Sequence, residues 1–357
     1  MERIRRFSAK MSIFNDKKSL ENKDGFNSEI DLQDSPDVDN SKGKEKENSQ
    51  SDKQDKDKSQ SQSTDDKPAG FLSPRMQRVL TSVSMHTQQL ISPKKSTVRQ
   101  RVYIHCVRHA EGIHNLRIID YEVRKKILDP RLTSHGEEQA LALTYRFQHM
   151  DKVTHIVCSP MRRTIHTAYL AFYPAVLEKD IPIIAYPDVR EWGNARCNTG
   201  IKFSSLLETF QDLEGRVETR LVPDGWEFNR EVTNPYPEYK QTRALKVRKD
   251  LWELGQVVLK TKMGEKGVWN GIEVDGVEKK QDVHIVVITH GAFLATLEGL
   301  DEERYWNAEY RTYEFATDEM VAANEASRFD LIETDESKQY VHDLLCPPNE
   351  NDENDAN

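Results

Sequence analysis

The sequence predicts a three-layer α/β/α domain with a mostly parallel sheet, set behind a long disordered arm. Three observations carry that expectation. Beyond Val98, short apolar runs alternate with amphipathic stretches, as strand-helix-strand units do. One of the runs, "DVHIVVIT" at residues 282–289, is apolar without a polar face, as a strand covered on both sides requires. Residues 39–68, by contrast, hold no aliphatic or aromatic side chain apart from proline. Such a segment buries too little apolar surface to offset the entropy of ordering its backbone.

The elements follow in order. "RVYIHCV" (101–107) reads as the first strand, and residues 136–149 as an amphipathic helix. "THIVCS" (154–159) is a second strand, residues 162–173 a second helix, and "IPIIAY" (181–186) a third strand. A long helical stretch at 239–262 precedes the doubly covered strand. Residues 291–300 then read as a helix and "EYRTYEFA" (309–316) as an edge strand. The folded domain is expected over residues 98–346, enough chain for one sizeable core. Residues 1–97 form the arm, where Leu72, Met76, Val79, Leu80 and Val83 suit a short helix over 71–91. Ser73-Pro74 and Ser92-Pro93 accompany it as turn chemistry, with proline-directed phosphorylation the alternative. The arm offers a surface for protein partners. Residues 347–357, ending in "NENDENDAN", are an acidic disordered tail.

Charge and cysteine content exclude some classes of function. The net charge of −9 argues against nucleic acid as a partner, since a basic footprint is expected there. The four cysteines (Cys106, Cys158, Cys197, Cys346) are scattered and form no CxxC pair, which fits reduced thiols in the cytoplasm or nucleus. No apolar run reaches the length of a membrane span, so no membrane is expected as a partner. The start, "MERIRRFSAKMSIF", has the arginine-rich amphipathic character of a mitochondrial presequence. Acidic and amide residues follow at once, and a disordered start to a cytoplasmic protein is the simpler expectation.

In sheets of this class, ligands bind outside the carboxyl ends of the strands. Polar clusters stand there in this sequence: Arg108-His109 after the first strand, residues 159–163 after the second, Glu191 shortly after the third and His290 after the last major one. Two arginines in one crevice repel unless an anion joins them, and guanidinium forks suit phosphate oxygens. Neighbouring cations favour a neutral imidazole. His109 is then a nucleophile toward phosphorus, His290 and the arginines stabilise charge on the equatorial oxygens, and Glu191 is the general acid and later the base. No metal or other cofactor is expected: no carboxylate cluster or glycine-rich Walker loop is present, and His109, His114 and a cysteine lack ligand-like spacing. His105, His149, His155, His166 and His284 are read as structural or without an assigned role, and Arg162 is expected to be a solvated helix residue. His114 is close enough to line a pocket.

The same residues carry a family resemblance. "VRHAEGIHN" resembles the R-H-G-x-x-x-x-N signature of the histidine phosphatase superfamily, also called phosphoglycerate mutase-like. "DPRLTSHGEEQA" is similar to its L-T-x-x-G-x-x-Q-A segment, and "CSPMRRTIHTA" to S-P-x-x-R-x-x-Q-T-A. "VRE" and "VVITHGAFL" resemble the segments that bear its glutamate and second histidine. The resemblance implies a Rossmann-like core and metal-independent chemistry through a phosphohistidine on His109. It implies a phosphate pocket of Arg108, Arg163 and His290, with Asn115 as an added phosphate contact. Ala110 stands in place of the family's glycine and His166 in place of its glutamine. "REWGNARCNTG" (190–200) departs from the glycolytic mutases' E-R-x-Y-G-x-x-x-G and is more similar to a fungal and plant branch with many phosphatases.

These residues point first to hydrolysis of a small phosphorylated metabolite. A phosphomutase, and a catalytically weak binding or scaffold protein recruiting partners through the arm, are the alternatives. The stretch at residues 198–238 is the expected lid. Its Phe203, Phe210, Arg220, Trp226 and Arg230 would either select the substrate or pack.

Overall fold

A computed structural model describes residues 100–202, 204–206, 213, 215–227, 237–300 and 305–345. The chain divides into two units, residues 1–97 and 98–357. The arm, its expected helix over 71–91, the Ser-Pro pairs, the tail at 347–357, and Phe203, Phe210 and Arg230 lie outside the described residues.

The strands form where apolar and β-branched residues run together: β1 Val102–Arg108, β2 His155–Cys158, β3 Ile183–Ala185, β4 Val217–Glu218, β5 Lys266–Trp269, β6 Ile272–Asp275, β7 Val283–Thr289, β8 Tyr310–Phe315 and β9 Leu331–Glu333. The helices are α1 Tyr121–Lys126, α2 Ser134–Arg146, α3 Arg162–Ala171, α4 Tyr173–Glu178, α5 Pro237–Lys260, α6 Gly291–Leu297, α7 Asp318–Ala323 and α8 Asp335–Leu345. Seven strands make one sheet in the order β4-β3-β2-β7-β1-β8-β9. The first five in that order are parallel, and β8 and β9 are antiparallel. The three-layer, mostly parallel reading holds.

β7 is buried at every residue, as its unbroken apolar run requires. Val283, Ile285 and Val287 share a core with Ile104 and Cys106 of β1, Val247, Leu251 and Leu254 of α5, and Phe293 and Leu294 of α6. Strand residues alternate between faces, so Val286 and Ile288 point to the opposite face, where Leu143 of α2 and Ile165 of α3 are fully buried.

Three elements differ from expectation. β8 is not an edge strand. The three-residue β9 pairs with it through Phe315↔Leu331 and takes the edge, too short to announce itself in sequence. β5 and β6 form a separate hairpin that was not anticipated. Asn270 and Gly271 supply its turn with φ of 47° and 81°, as a type I′ hairpin demands. The second helix ends at Ala171, and Pro174 in the first turn of α4 restarts the chain in a new direction.

The histidines expected to be structural are largely so. His105 Nε2 lies 3.0 Å from His284 Nδ1, and His105 Nδ1 lies 3.0 Å from Thr312 Oγ1. His149 stacks on His105 with ring centroids 5.0 Å apart. Burial holds these rings neutral, and it pushes His155 and His284 down to about 4. Unfolded, each ring titrates near 6.5, so the unfolded chain binds more protons as the pH falls from about 6.5 toward about 4. The stability they support is complete above pH 6.5 and is lost through that window, at about 1.4 kcal/mol per pH unit for each ring. Urea midpoints measured from pH 7 to 4 should therefore fall, and fall less in a His284→Gln protein. Parallel curves for the two proteins would count against this account.

Candidate active site

Register brings the polar clusters together. Arg108 pairs with Thr289 across β1 and β7, while Cys158 of β2 pairs with Ile288 of β7 and Ala185 of β3. The residues that follow each strand therefore emerge side by side at one edge of the sheet. His109, Ser159, Arg163 and His290 are all essentially buried there. Sequence separations of 54 and 127 residues close to hydrogen-bond distance.

Arg163 organises the site. Its Nε donates to His109 Nε2 at 3.2 Å, one terminal nitrogen approaches His290 Nδ1 at 3.1 Å, and the other donates to the Cys197 carbonyl at 2.9 Å. Arginine has donors only, so both imidazole nitrogens that face it must be acceptors. That settles the tautomers. His109 donates through Nδ1 to the Ala110 carbonyl at 2.7 Å, leaving its Nε2 lone pair toward the site. His290 donates through Nε2 to Ser159 Oγ at 2.9 Å. Burial is the largest influence holding both rings neutral, and the Arg163 charge adds to it. Sequence reasoning had the direction right but credited the cations alone.

The motif around Leu132 has a mechanical meaning. Thr133, which caps α2, and Gly136 and Gln139 within it recur every third position, and all three meet the loop after His109. Thr133 Oγ1 donates to Glu111 Oε1 at 2.7 Å, the Glu111 amide donates to Gln139 Oε1 at 2.9 Å, and a Cβ at Gly136 would stand 2.0 Å from the Glu111 carbonyl oxygen. From α3, Thr167 Oγ1 accepts from the Ala110 amide at 3.0 Å and donates to the Arg163 carbonyl at 2.7 Å. Ala110 itself is fully buried without crowding the turn, and His166 lies 4.0 Å from Glu137.

The remaining expected residues fall nearby with varied partners. Arg108 donates to the Tyr305 carbonyl at 2.5 Å, and its charge acts on both His109 and His114. Asn115 uses Oδ1 to accept from the Gly112 amide at 3.0 Å, which closes the loop. Glu191 sits at the start of α6, accepting from the amides of Trp192 at 2.8 Å, Phe293 at 3.0 Å and Ala292 at 3.3 Å, and its charge acts on Arg163.

Arg162 is a correction. It is not solvated: its Nε donates to the Asp129 carbonyl at 2.6 Å and a terminal nitrogen to the Leu128 carbonyl at 3.0 Å. Asp129 returns the contact by accepting from the Arg162 amide at 3.1 Å, and burial pushes its carboxyl up to about 6. The pair anchors the helix that carries Arg163. In the expected lid, Trp226 is buried over Gly200 and Arg220 pairs with Glu218 at 2.7 Å, so both serve packing and pairing. Asn307, whose amide donates to the His109 carbonyl at 3.0 Å, carries no sequence signal that would have found it.

Among the described residues no group of three or more His, Cys, Asp or Glu is placed to hold a metal ion. No helix among them is long and apolar enough to cross a membrane. A cavity of about 730 Å³, lined by Tyr103, His149 and His284, opens at the opposite ends of β1 and β7, away from this site.

The family model of the histidine phosphatase superfamily (branch 1) matches residues 104–232. That range takes in His109, Arg163 and Glu191 but stops short of His290, whose placement rests on the β1–β7 register. A probable phosphatase of Schizosaccharomyces pombe is 30% identical over 109 residues, 30% of this chain and 49% of that protein. The chain thus spans about half the length of the curated relative it matches. Among solved structures, an ecdysone phosphate phosphatase from Bombix mori is 14% identical, with 60% of this chain and 89% of that one covered and a TM-score of 0.39. A phosphoserine phosphatase from Entamoeba histolytica is 19% identical, with 60% and 91% covered and a TM-score of 0.34.

The contact at Gly136 generates a test. Gly136→Ala drives a methyl group into backbone that has no flexible end to move, so overpacking should cost about 1–3 kcal/mol. It should also displace the Glu111 loop. Urea unfolding checks the first effect, and an unchanged midpoint would contradict the contact.

Proposed function

We propose that this chain, whose residues 104–232 belong to the histidine phosphatase superfamily, is a phosphatase that hydrolyses a small phosphomonoester through a phosphohistidine on His109. One observation carries the reading. A fully buried guanidinium is bonded by two neutral imidazoles and a carbonyl, and by no carboxylate among the described residues. A buried charge without a bonded counter-ion is costly, and a phosphoryl dianion arriving beside His109 removes that cost.

Each step then has a residue. Arg163 exchanges its bond to His109 Nε2 for phosphoryl oxygens, which uncovers the lone pair. Nε2 attacks phosphorus in line as the P–O bond to the leaving group breaks. Arg108 and Arg163 stabilise charge on the equatorial oxygens, while His290, whose one N–H goes to Ser159, orients Arg163 through Nδ1. Asn115 adds its amide Nδ2 as a donor. The leaving alkoxide takes a proton from Glu191. Water then attacks the phosphohistidine, giving its proton to Glu191, and the P–N bond breaks to release phosphate and restore neutral His109. The Ala110 carbonyl holds Nδ1–H throughout, so the same nitrogen is presented in every cycle. The arm, on this reading, is regulatory and takes protein partners without contributing to turnover.

His109→Ala should lower turnover about 10⁴-fold or more, because no other group can hold the phosphoryl covalently. Wild-type protein quenched in alkali should retain label from a ³²P-phosphomonoester, and protein quenched in acid should lose it. Substantial activity in His109→Ala, or an acid-stable label, would overturn the mechanism. Incubation with 3-phosphoglycerate and bisphosphoglycerate separates hydrolysis from transfer: conversion to 2-phosphoglycerate without phosphate release would make the protein a mutase.

A further inference from the structure

One more imidazole stands beside the pair used above. His114 lies on the 3-10 turn Ile113–Asn115, with its ring centroid 5.5 Å from that of His109. The ring of His290 is 5.1 Å from His109 on its own account. One edge of the His114 ring is sealed: its Nδ1 is buried with no hydrogen-bond partner, and a Cβ at Gly112 would stand 2.8 Å from Nδ1 and 2.9 Å from Cε1. Glycine at 112 is therefore what lets the ring settle against the loop.

The surroundings of this ring match those of the phosphoryl site. Burial is the largest influence keeping it neutral, and the charges of Arg163, Arg108 and Arg124 add to it. A neutral imidazole carries one N–H. A proton on the sealed Nδ1 would be a buried donor with no acceptor, the rarer and costlier kind of orphan. The proton therefore belongs on Nε2, the other ring nitrogen. A neutral ring on which three guanidinium charges act, with one donor to offer, suits a phosphoryl oxygen and nothing cationic.

We propose that His114 is a further phosphoryl-binding residue, donating through Nε2–H to an oxygen of the group held beside His109. The inference rests on the phosphoryl-site reading given above. It adds a donor without adding charge to a site already rich in guanidinium. Its bond strengthens as negative charge gathers on the equatorial oxygens.

Two substitutions separate donation from packing. Gln places an amide N–H close to the position of Nε2, whereas Phe keeps a ring of similar shape with no donor. In competition against p-nitrophenyl phosphate turnover, inorganic phosphate should bind His114→Phe about tenfold more weakly than wild type. His114→Gln should recover most of that loss. Phosphate affinity unchanged in His114→Phe, or equal losses in both variants with matched drops in thermal stability, would overturn the role. A second readout uses the wild-type protein. In ¹⁵N-histidine spectra, the Nε2–H signal that disappears in His114→Gln should move when phosphate is added, and a signal that stays in place would also overturn the proposal. Wild-type protein that neither binds phosphate nor turns over p-nitrophenyl phosphate would defeat the phosphoryl site itself, and this inference with it.

Discussion

Everything in this site hangs on one buried guanidinium. Arg163 is fully enclosed, and its three bonded partners are two imidazole nitrogens and a carbonyl oxygen. Because arginine cannot accept, its position dictates which nitrogen of each histidine is bare. Because it cannot lose its proton, its charge adds to burial in keeping both rings neutral. The tautomers of both rings are thus consequences of a single side chain. The supporting contacts can be read as what is needed to keep that side chain in place. Asp129 and Arg162 clamp the start of its helix, and Thr167 ties the next turn of that helix to the loop that follows His109.

The sheet supplies the other constraint. Parallel pairing of β1, β2 and β7 in a fixed register puts Arg108 opposite Thr289 and Cys158 opposite Ile288. A slip of one residue would turn the apolar set of β7 and move the strand ends out of line. The buried apolar core and the alignment of the polar groups at the strand ends are therefore the same requirement met twice. α2 works in similar fashion. One face of it packs Ala140 and Leu143 into the core, and its first two turns present Thr133, Gly136 and Gln139 to the loop after His109. The glycine there permits close approach of two backbones, while the threonine and glutamine satisfy polar groups that the approach would otherwise leave unpaired.

Polar burial also occurs far from the chemistry. The stack of His105, His149 and His284 occupies positions where an apolar strand face would ordinarily continue. Both nitrogens of His105 are satisfied, one by the His284 ring and one by Thr312. The cluster is neutral for the same leading reason as His109 and His290, namely burial. Similar electrostatics at the two ends of one sheet therefore do not mark function. What distinguishes the end that holds His109 is a buried guanidinium whose hydrogen-bond partners among the described residues include no carboxylate.

The sequence by itself determined the alternation of strands and helices, the doubly buried β7, and the set His109, Arg163, Glu191 and His290. Those features are local: periodicity, composition and the residue types that follow each strand. It also carried the spacing of Thr133, Gly136 and Gln139, although their shared task shows only when the helix is laid against the Glu111 loop. Tertiary structure alone decided the rest. Arg162 looked solvated because a helix start is usually exposed, and only the fold of the Leu128–Asp129 segment places carbonyls beneath it. β8 looked like an edge because β9 is three residues long, below the length at which alternation can be read. The tautomers of His109 and His290 and the amide of Asn307 depend on contacts across dozens to nearly two hundred residues. No local pattern can encode such contacts, since they arise only when strand register brings distant loops to one edge of the sheet.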